Sequence, residues 1–231
     1  MDRFKRTASL IGDDALLKLK TAKIALFGVG GVGSYVLEAL VRGSVGRIDV
    51  FDKDTVDITN INRQIIALSD TVGLSKAEVA VNRAKQINPD IDARAYDMFY
   101  LPENSNEVDL TQYDYIIDAI DTVTAKIELI VNANKAGVPI ISSMGTGNKL
   151  DNTAFKIADI YSTKVCPLAR VMRNELKKRG IKNLCVVYSE EEPKANDKAD
   201  GTRLPPASIS YVPATAGLLI AGKVIRDIIE K

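Results

Sequence analysis

The sequence predicts an α/β fold: a mainly parallel sheet with helices on both faces, extended by additional strands and helices toward the C-terminus. Three observations predict it. Short apolar runs without polar alternation, the pattern of strands buried on both sides, recur along the chain, as in Lys23–Phe27 and the almost wholly apolar residues 115–120. Segments with the helical spacing of apolar residues separate those runs. The first run ends in Gly28-Val29-Gly30-Gly31-Val32-Gly33, glycine punctuation between a strand and a helix. Strands alternating with helices imply βαβ units and a parallel sheet.

Taken in order, residues 11–19 have helical spacing, with Asp13 or Asp14 as a cap. Lys23–Phe27 is the first strand, Gly33–Arg42 a helix ended by Gly43, and Arg47–Phe51 the second strand. Residues 52–70 are irregular and rich in Asp, Asn and Thr, and Lys76–Ile87 is an amphipathic helix stopped by Asn88-Pro89. Residues 91–96 and 115–120 read as the third and fourth strands. Thr122 or Thr124 caps a helix to about Lys135, and Gly137-Val138-Pro139 turns into the fifth strand, Ile140–Ser143. After Gly147 the rhythm changes. Residues 155–160 and 184–188 are strands, with a basic helix over 167–179 between them. Residues 190–206, polar and with three prolines, read as a mobile loop, and 214–229 as a closing amphipathic helix. No linker poor in apolar residues divides the chain. It reads as a single domain over 1–231, with a nucleotide-binding core at 1–147 and a substrate-facing extension at 148–231.

Composition narrows the chemistry. The 231 residues are 46% apolar and 26% charged, with a formal net charge of +1, so no global field marks a nucleic acid or membrane partner. There is no histidine, which excludes a histidine general base, a Ser-His-Asp triad and any His-ligated metal. Two cysteines, Cys166 and Cys185, are too few for a four-thiolate zinc site. The first nine residues are charged and lack the apolar core of a signal peptide. No run approaches the roughly 20 apolar residues that span a bilayer; residues 213–229 come nearest, interrupted by Lys223, Arg226 and Asp227. The expectation is a soluble cytoplasmic protein without membrane partners.

Gly28, Gly30, Gly31 and Gly33 stand where a phosphate-binding turn needs them. One glycine makes the tight turn, one lets phosphate approach the backbone, and one lets helix and strand pack closely. The helix N-terminus then offers free N–H groups to an anion. Asp52, at the end of the second strand, is placed to accept hydrogen bonds from ribose hydroxyls. Taken alone these features point to NAD. The next segment, Asp52-Lys53-Asp54 through Asn60-Ile61-Asn62-Arg63-Gln64 to Lys76, redirects the expectation to a triphosphate, whose greater charge calls for added cations. Arg63 can grip phosphate bidentately and Lys76 adds a point charge. Asp121 follows the fourth strand, at the carboxyl edge where ligands bind, and could hold magnesium or cap the next helix. Lys126, on that helix, could face phosphates or solvent.

The series Gly28 to Gly33, Asp52-x-Asp54-x-Val56, Asn60-x-Asn62-Arg63-Gln64, Lys76 and Asp121 resembles the ubiquitin-activating-enzyme-like superfamily of ThiF, MoeB and HesA proteins, over roughly the first 145 residues. The resemblance implies a Rossmann-like sheet, ATP with magnesium, and attack of a substrate carboxylate on the α-phosphate. By position it assigns Asp52 to ribose, Asn60, Arg63 and Lys76 to the phosphates, and Asp121 to the metal. Asp54 and Gln64 join the nucleotide set. Arg6, in a segment resembling one that reaches into the partner's site in family dimers, implies a homodimer with composite catalytic sites. Two Cys-x-x-Cys pairs, which hold zinc in many sulfur-carrier-activating relatives, are absent here, so no zinc is expected.

The segments Lys164-Val165-Cys166-Pro167-Leu168-Ala169-Arg170-Val171-Met172-Arg173 and Cys185 to Glu191, with Ser208 to Pro213, resemble the bacterial tRNA threonylcarbamoyladenosine dehydratase branch. That branch activates the threonyl carboxylate of a modified adenosine in tRNA, through an acyl-adenylate or an acyl-phosphate; the carbamoyl oxygen then closes a ring. Lys164, Arg170, Arg173, Lys177 and Lys178 are candidate RNA contacts, set against a solvated helix face with Glu175 and Arg179 paired. Cys166 is a candidate nucleophile, set against a half-buried thiol at a helix start. Sulfur-relay proteins stay open as partners. The alternatives are adenylation of the C-terminus of a small ubiquitin-like or sulfur-carrier protein, an NAD-dependent oxidoreductase, and a non-catalytic scaffold.

Overall fold

Residues 3–194 and 204–230 are described by the structure, a computed structural model; the part of the expected 190–206 loop between them lies outside the described residues. Seven strands form one sheet in the order β3-β2-β1-β4-β5-β7-β6. They are β1 (Lys23–Phe27), β2 (Arg47–Phe51), β3 (Asp92–Tyr96), β4 (Tyr115–Asp118), β5 (Ile140–Ser143), β6 (Phe155–Asp159) and β7 (Cys185–Ser189). Every pairing is parallel except that of β6 with β7. The helices are α1 (Lys5–Ile11), α2 (Asp13–Thr21), α3 (Gly33–Arg42), α4 (Lys76–Ile87), α5 (Val123–Ala136), α6 (Pro167–Lys178) and α7 (Tyr211–Glu230).

Strand side chains alternate between two apolar layers, as the pleat requires. Ile24 and Leu26 join a cluster with α3, α4 and α7, while Ala25 and Phe27 face the opposite layer with Leu129 of α5. Val186 and Tyr188 of β7 pack with α6 on that second side. Both faces are therefore covered, which is why these strands read as unbroken apolar runs. In register, Phe27, Phe51 and Tyr96 lie side by side at the carboxyl ends of β1, β2 and β3. Their rings stack at 4.3 and 4.5 Å between centroids, a ladder that ties the three strand ends together.

Several boundaries differ from expectation for identifiable reasons. The first helical segment is two helices, because Gly12 at φ +88° turns the chain between α1 and α2. Asp13 and Asp14 lie in the first turn of α2 and do not cap it. Helix α7 begins at Tyr211, with Pro213 in its first turn, where a missing N–H removes no intrahelical bond. β4 ends at Asp118, whose carboxylate closes the strand by accepting from the Ile120 N–H at 3.1 Å and the Ser142 hydroxyl at 2.5 Å. No described helix is long and apolar enough to cross a membrane.

Lys126 corrects the expectation that it faces phosphates or solvent. Its side chain is 0% exposed, and Nζ meets Asp118 Oδ2 at 2.9 Å. It also donates to the Ile120 carbonyl at 3.0 Å and the Ser143 carbonyl at 2.8 Å. A buried ammonium persists only when paired and hydrogen-bonded, and here it joins the carboxyl ends of β4 and β5. Removing one partner strands the other charge. Lys126→Met is expected to lower the unfolding free energy by about 3–5 kcal/mol in urea denaturation, and adding Asp118→Asn should recover much of that loss. A single-variant cost below about 1 kcal/mol would contradict this pairing.

Candidate functional site

Strand order reverses at β1, with β2 on one side and β4 on the other. That is where an open α/β sheet forms its ligand crevice. The glycine turn leaves β1 there. Gly28 has φ +85°, and a Cβ on it would lie 2.7 Å from the Ala119 carbonyl oxygen beyond β4. A Cβ on Gly33 would lie 1.9 Å from the Gly28 carbonyl oxygen, so α3 starts in direct contact with the strand end. No side chain caps α3 at Val32, and the positive end of its dipole faces the crevice, while the Ser34 and Tyr35 N–H groups bond back to the Gly30 and Val32 carbonyls at 3.0 and 3.1 Å.

Asp52 holds the turn from the side of β2. It is 8% exposed. One carboxylate oxygen accepts from the Val29 N–H at 2.8 Å and the other from the Asp54 N–H at 2.9 Å. Burial raises its pKa above the ordinary carboxylate value, opposed by those N–H groups and the Lys76 charge. Each oxygen keeps a lone pair for a hydroxyl donor. Lys76, at the start of α4, is itself buried, and its ammonium donates to Asp54 Oδ2 at 2.7 Å.

The Asn60–Gln64 segment folds against the turn. Asp57 and Asn60 form a reciprocal cap on a short 3-10 turn, with Asn60 Oδ1 accepting from the Asp57 N–H at 3.1 Å. The chain then brings Arg63 and Gln64 to the glycines. Arg63 Cγ is 3.5 Å from the Cβ position of Gly31, and Gln64 Nε2 is 3.7 Å from that of Gly30. Arg63 Nη1 donates to the Thr59 carbonyl at 2.9 Å and Asn62 Oδ1 at 3.0 Å. Gln64 is 5% exposed, and its Oε1 is buried with no hydrogen-bond partner among the described residues. A buried, unsatisfied amide beside an open glycine turn is what a site for a polar ligand leaves behind. Asp121, at the carboxyl edge beyond β4, is exposed, with the Thr122 hydroxyl on one oxygen at 3.3 Å.

Other expected residues are placed differently. Arg6 is exposed on α1, and no described hydrogen bond or ion pair ties it to the turn. Cys166 is 1% exposed and packs in the apolar cluster under α6, so the thiol is not presented to solvent as the nucleophile expectation needs. Arg173 pins the loop before α6, donating to the Thr163 carbonyl at 3.0 Å and to its hydroxyl. Lys178 and Arg179 both turn onto Glu175, at 2.6 and 2.7 Å. Lys164, Arg170 and Lys177 stand exposed. Two features escaped sequence reasoning. The Asp118–Lys126 pair gave no signal, because a lysine on a helix ordinarily faces solvent. Lys149 is 3% exposed and donates to the Glu191 carbonyl. Its position just past β5, at the same carboxyl edge, was the available sign.

The crowding at the turn is testable by stability alone. Gly33→Ala must displace backbone and is expected to cost at least about 1–3 kcal/mol in chemical denaturation. Gly30→Ala, whose Cβ would meet only Gln64 Nε2 at 3.7 Å, should change stability little. Equal costs would contradict the geometry.

Comparison with known proteins agrees with this arrangement. The chain is 42% identical to the tRNA threonylcarbamoyladenosine dehydratase of Bacillus subtilis (strain 168), over 100% of this chain and 96% of that one. The solved structure of Escherichia coli tRNA N6-threonylcarbamoyladenosine dehydratase in complex with AMP superposes with a TM-score of 0.91 at 34% identity, covering 99% of this chain and 94% of that one. The same enzyme in complex with ATP gives 0.87 at 35% identity, with the same coverage. The ThiF family profile matches residues 4–231, and the chain belongs to the ThiF family.

Proposed function

We propose that this protein uses ATP to activate a carboxylate, and that the carboxylate is the threonyl group of threonylcarbamoyladenosine in tRNA, which then loses water on cyclising. The observation that carries the proposal is the convergence of Arg63, Gln64, Asp52 and Lys76 on an open glycine turn, in a chain similar over its whole length to tRNA threonylcarbamoyladenosine dehydratases. The Escherichia coli enzyme among these relatives is solved with AMP and with ATP.

In this account the glycine N–H groups and the start of α3 receive phosphate oxygens. Asp52 accepts from the ribose, and Gln64 and Asn60 add amide contacts. Asp54 holds the Lys76 ammonium beside Asp52, and Arg63 reaches the phosphates over Gly31. Both reactants are anions, so fixed cations offset their repulsion and act most strongly on charge that develops in the transition state. The carboxylate is already ionised at neutral pH, and no general base is needed for its attack. One carboxylate oxygen bonds to the α-phosphorus as pyrophosphate leaves. The carbamoyl oxygen then bonds to the acyl carbon, its group releases a proton, and AMP departs with the former carboxylate oxygen. Asp121 would hold magnesium, its exposed carboxylate being the kind of oxygen donor that ion accepts, and the ion would supply charge neutralisation there.

Residues 1–147 act as the nucleotide core, and 148–231 present the substrate. Exposed Lys164, Arg170 and Lys177 contact tRNA phosphates, with an affinity that falls as salt rises. A tRNA substrate implies a cytoplasmic location. The exposed face of α1 and α2, with Leu10 at 85% and Leu17 at 60% exposure, supports a homodimer in which Arg6 serves the partner's site.

The test is incubation with ATP and tRNA bearing threonylcarbamoyladenosine, followed by mass spectrometry of the nucleosides. Loss of one water, dependent on ATP, is expected. An unchanged nucleoside would overturn the tRNA assignment. Arg63→Ala should reduce turnover by about 100-fold or more while ATP affinity falls less than about 10-fold. Gly30→Ala should weaken ATP binding without unfolding the chain.

A further inference from the structure

A second cavity lies at the carboxyl edge, beyond β5 and β7. It is an open hollow of about 190 Å³ lined by Asn148, Lys149, Leu150, Lys194, Ala207, Ser208 and Ile209. Its walls are fastened by backbone and amide bonds. Asn148, in a left-handed conformation at φ +60°, donates its N–H to the Ala207 carbonyl at 2.7 Å. Its Oδ1 accepts from the Ala207 N–H at 2.6 Å, and its carbonyl accepts from the Lys194 N–H at 2.8 Å. Gly147 passes so close to Pro206 that a Cβ would lie 2.6 Å from the ring.

Two polar groups in this wall are under-used. Lys149 is 3% exposed, and among the described residues its ammonium has one hydrogen-bond partner, the Glu191 carbonyl. The Glu191 carboxylate does not serve it as a counter-ion by contact. Its oxygens accept instead from the N–H groups of Leu150, at 2.9 and 3.1 Å, and of Asp151, at 2.9 Å. Burial holds the Lys149 pKa below the ordinary lysine value, opposed by the neighbouring Cys166 and Glu191 side chains. The Ser208 Oγ is buried with no partner among the described residues. Lys194 adds a second cation to the lining, and among the described residues no acid lines it. Unsatisfied donors around a cationic cavity call for a small anion with several acceptor oxygens.

The cavity is also wired to the phosphate site. The Ser208 carbonyl accepts from Asn62 Nδ2 at 3.1 Å, and Asn62 Oδ1 in turn accepts from Arg63 at 3.0 Å. We propose that Lys149 and Ser208, with Lys194, form the seat of the substrate's carboxylate, holding it beside the phosphates that Arg63 addresses. This rests on the carboxylate-activating function proposed above and names the residues that receive the acceptor.

The test uses the full chain and two tRNAs, one bearing threonylcarbamoyladenosine and one with unmodified adenosine at that position. Wild type should bind the modified tRNA more tightly. Lys149→Met and Ser208→Ala should each erode that preference, by about 10- to 100-fold for the lysine and less for the hydroxyl. Affinity for the unmodified tRNA and the melting temperature should stay close to wild type. Dehydration of the modified tRNA should fall in parallel. An equal loss of both tRNAs would assign Lys149 to the RNA backbone and overturn the proposal, as would a retained preference in both variants. A wild type that dehydrates no modified tRNA would instead overturn the function on which the proposal rests.

Discussion

The carboxyl edge of this sheet depends on one backbone approach. The start of α3 lies against the end of β1 so closely that Gly33 and Gly28 leave no space for a side chain, and Gly28 in turn abuts the Ala119 carbonyl. That approach brings the uncapped start of α3, the end of β2 and the loop after β4 into one crevice. Asp52 then locks it through the Val29 N–H. Beneath, the stacked rings of Phe27, Phe51 and Tyr96 tie the three neighbouring strand ends together, and Lys126 joins the ends of β4 and β5. The site residues lie in the turns that leave these tied strand ends, which fix where two reactants can meet.

A second constraint is electrostatic. A chain with net charge +1 has no global field with which to gather two anions. Its cations must be placed locally, and the structure places them in two ways. Lys76 is buried and oriented by Asp54, whereas Lys149 is buried with a single carbonyl partner among the described residues. Desolvation makes such charges costly to the fold and strong toward an incoming anion. The absence of histidine fits chemistry whose nucleophile needs no deprotonation.

Much of this was legible in the sequence. The glycine turn, the strand before it and the helix after it follow from residue types alone, because glycine at positive φ and apolar runs have few alternative uses. Asp52, Arg63 and Gln64 were found by their order along the chain, and the structure brings them against the turn. What was not legible involves pairings distant in sequence. Lys126 looks like any helical surface lysine until Asp118 and two carbonyls enclose it. Arg173, Lys178 and Arg179 read as a basic face, yet they are turned onto Thr163 and Glu175. Cys166 looked reactive in a cationic stretch, but its apolar neighbours come from other elements and bury it. Periodicity reports which face of an element is apolar, not which polar side chain will find a partner across the fold.

The central claim is that a carboxylate oxygen is transferred to the α-phosphorus of ATP. The most direct measurement is to label the threonyl carboxylate of the modified tRNA with heavy oxygen, allow turnover with ATP, and weigh the nucleotide and phosphate products. The account predicts label in AMP, since the departing oxygen is the one that attacked the α-phosphorus. Cyclised nucleoside formed with no label in AMP would contradict it.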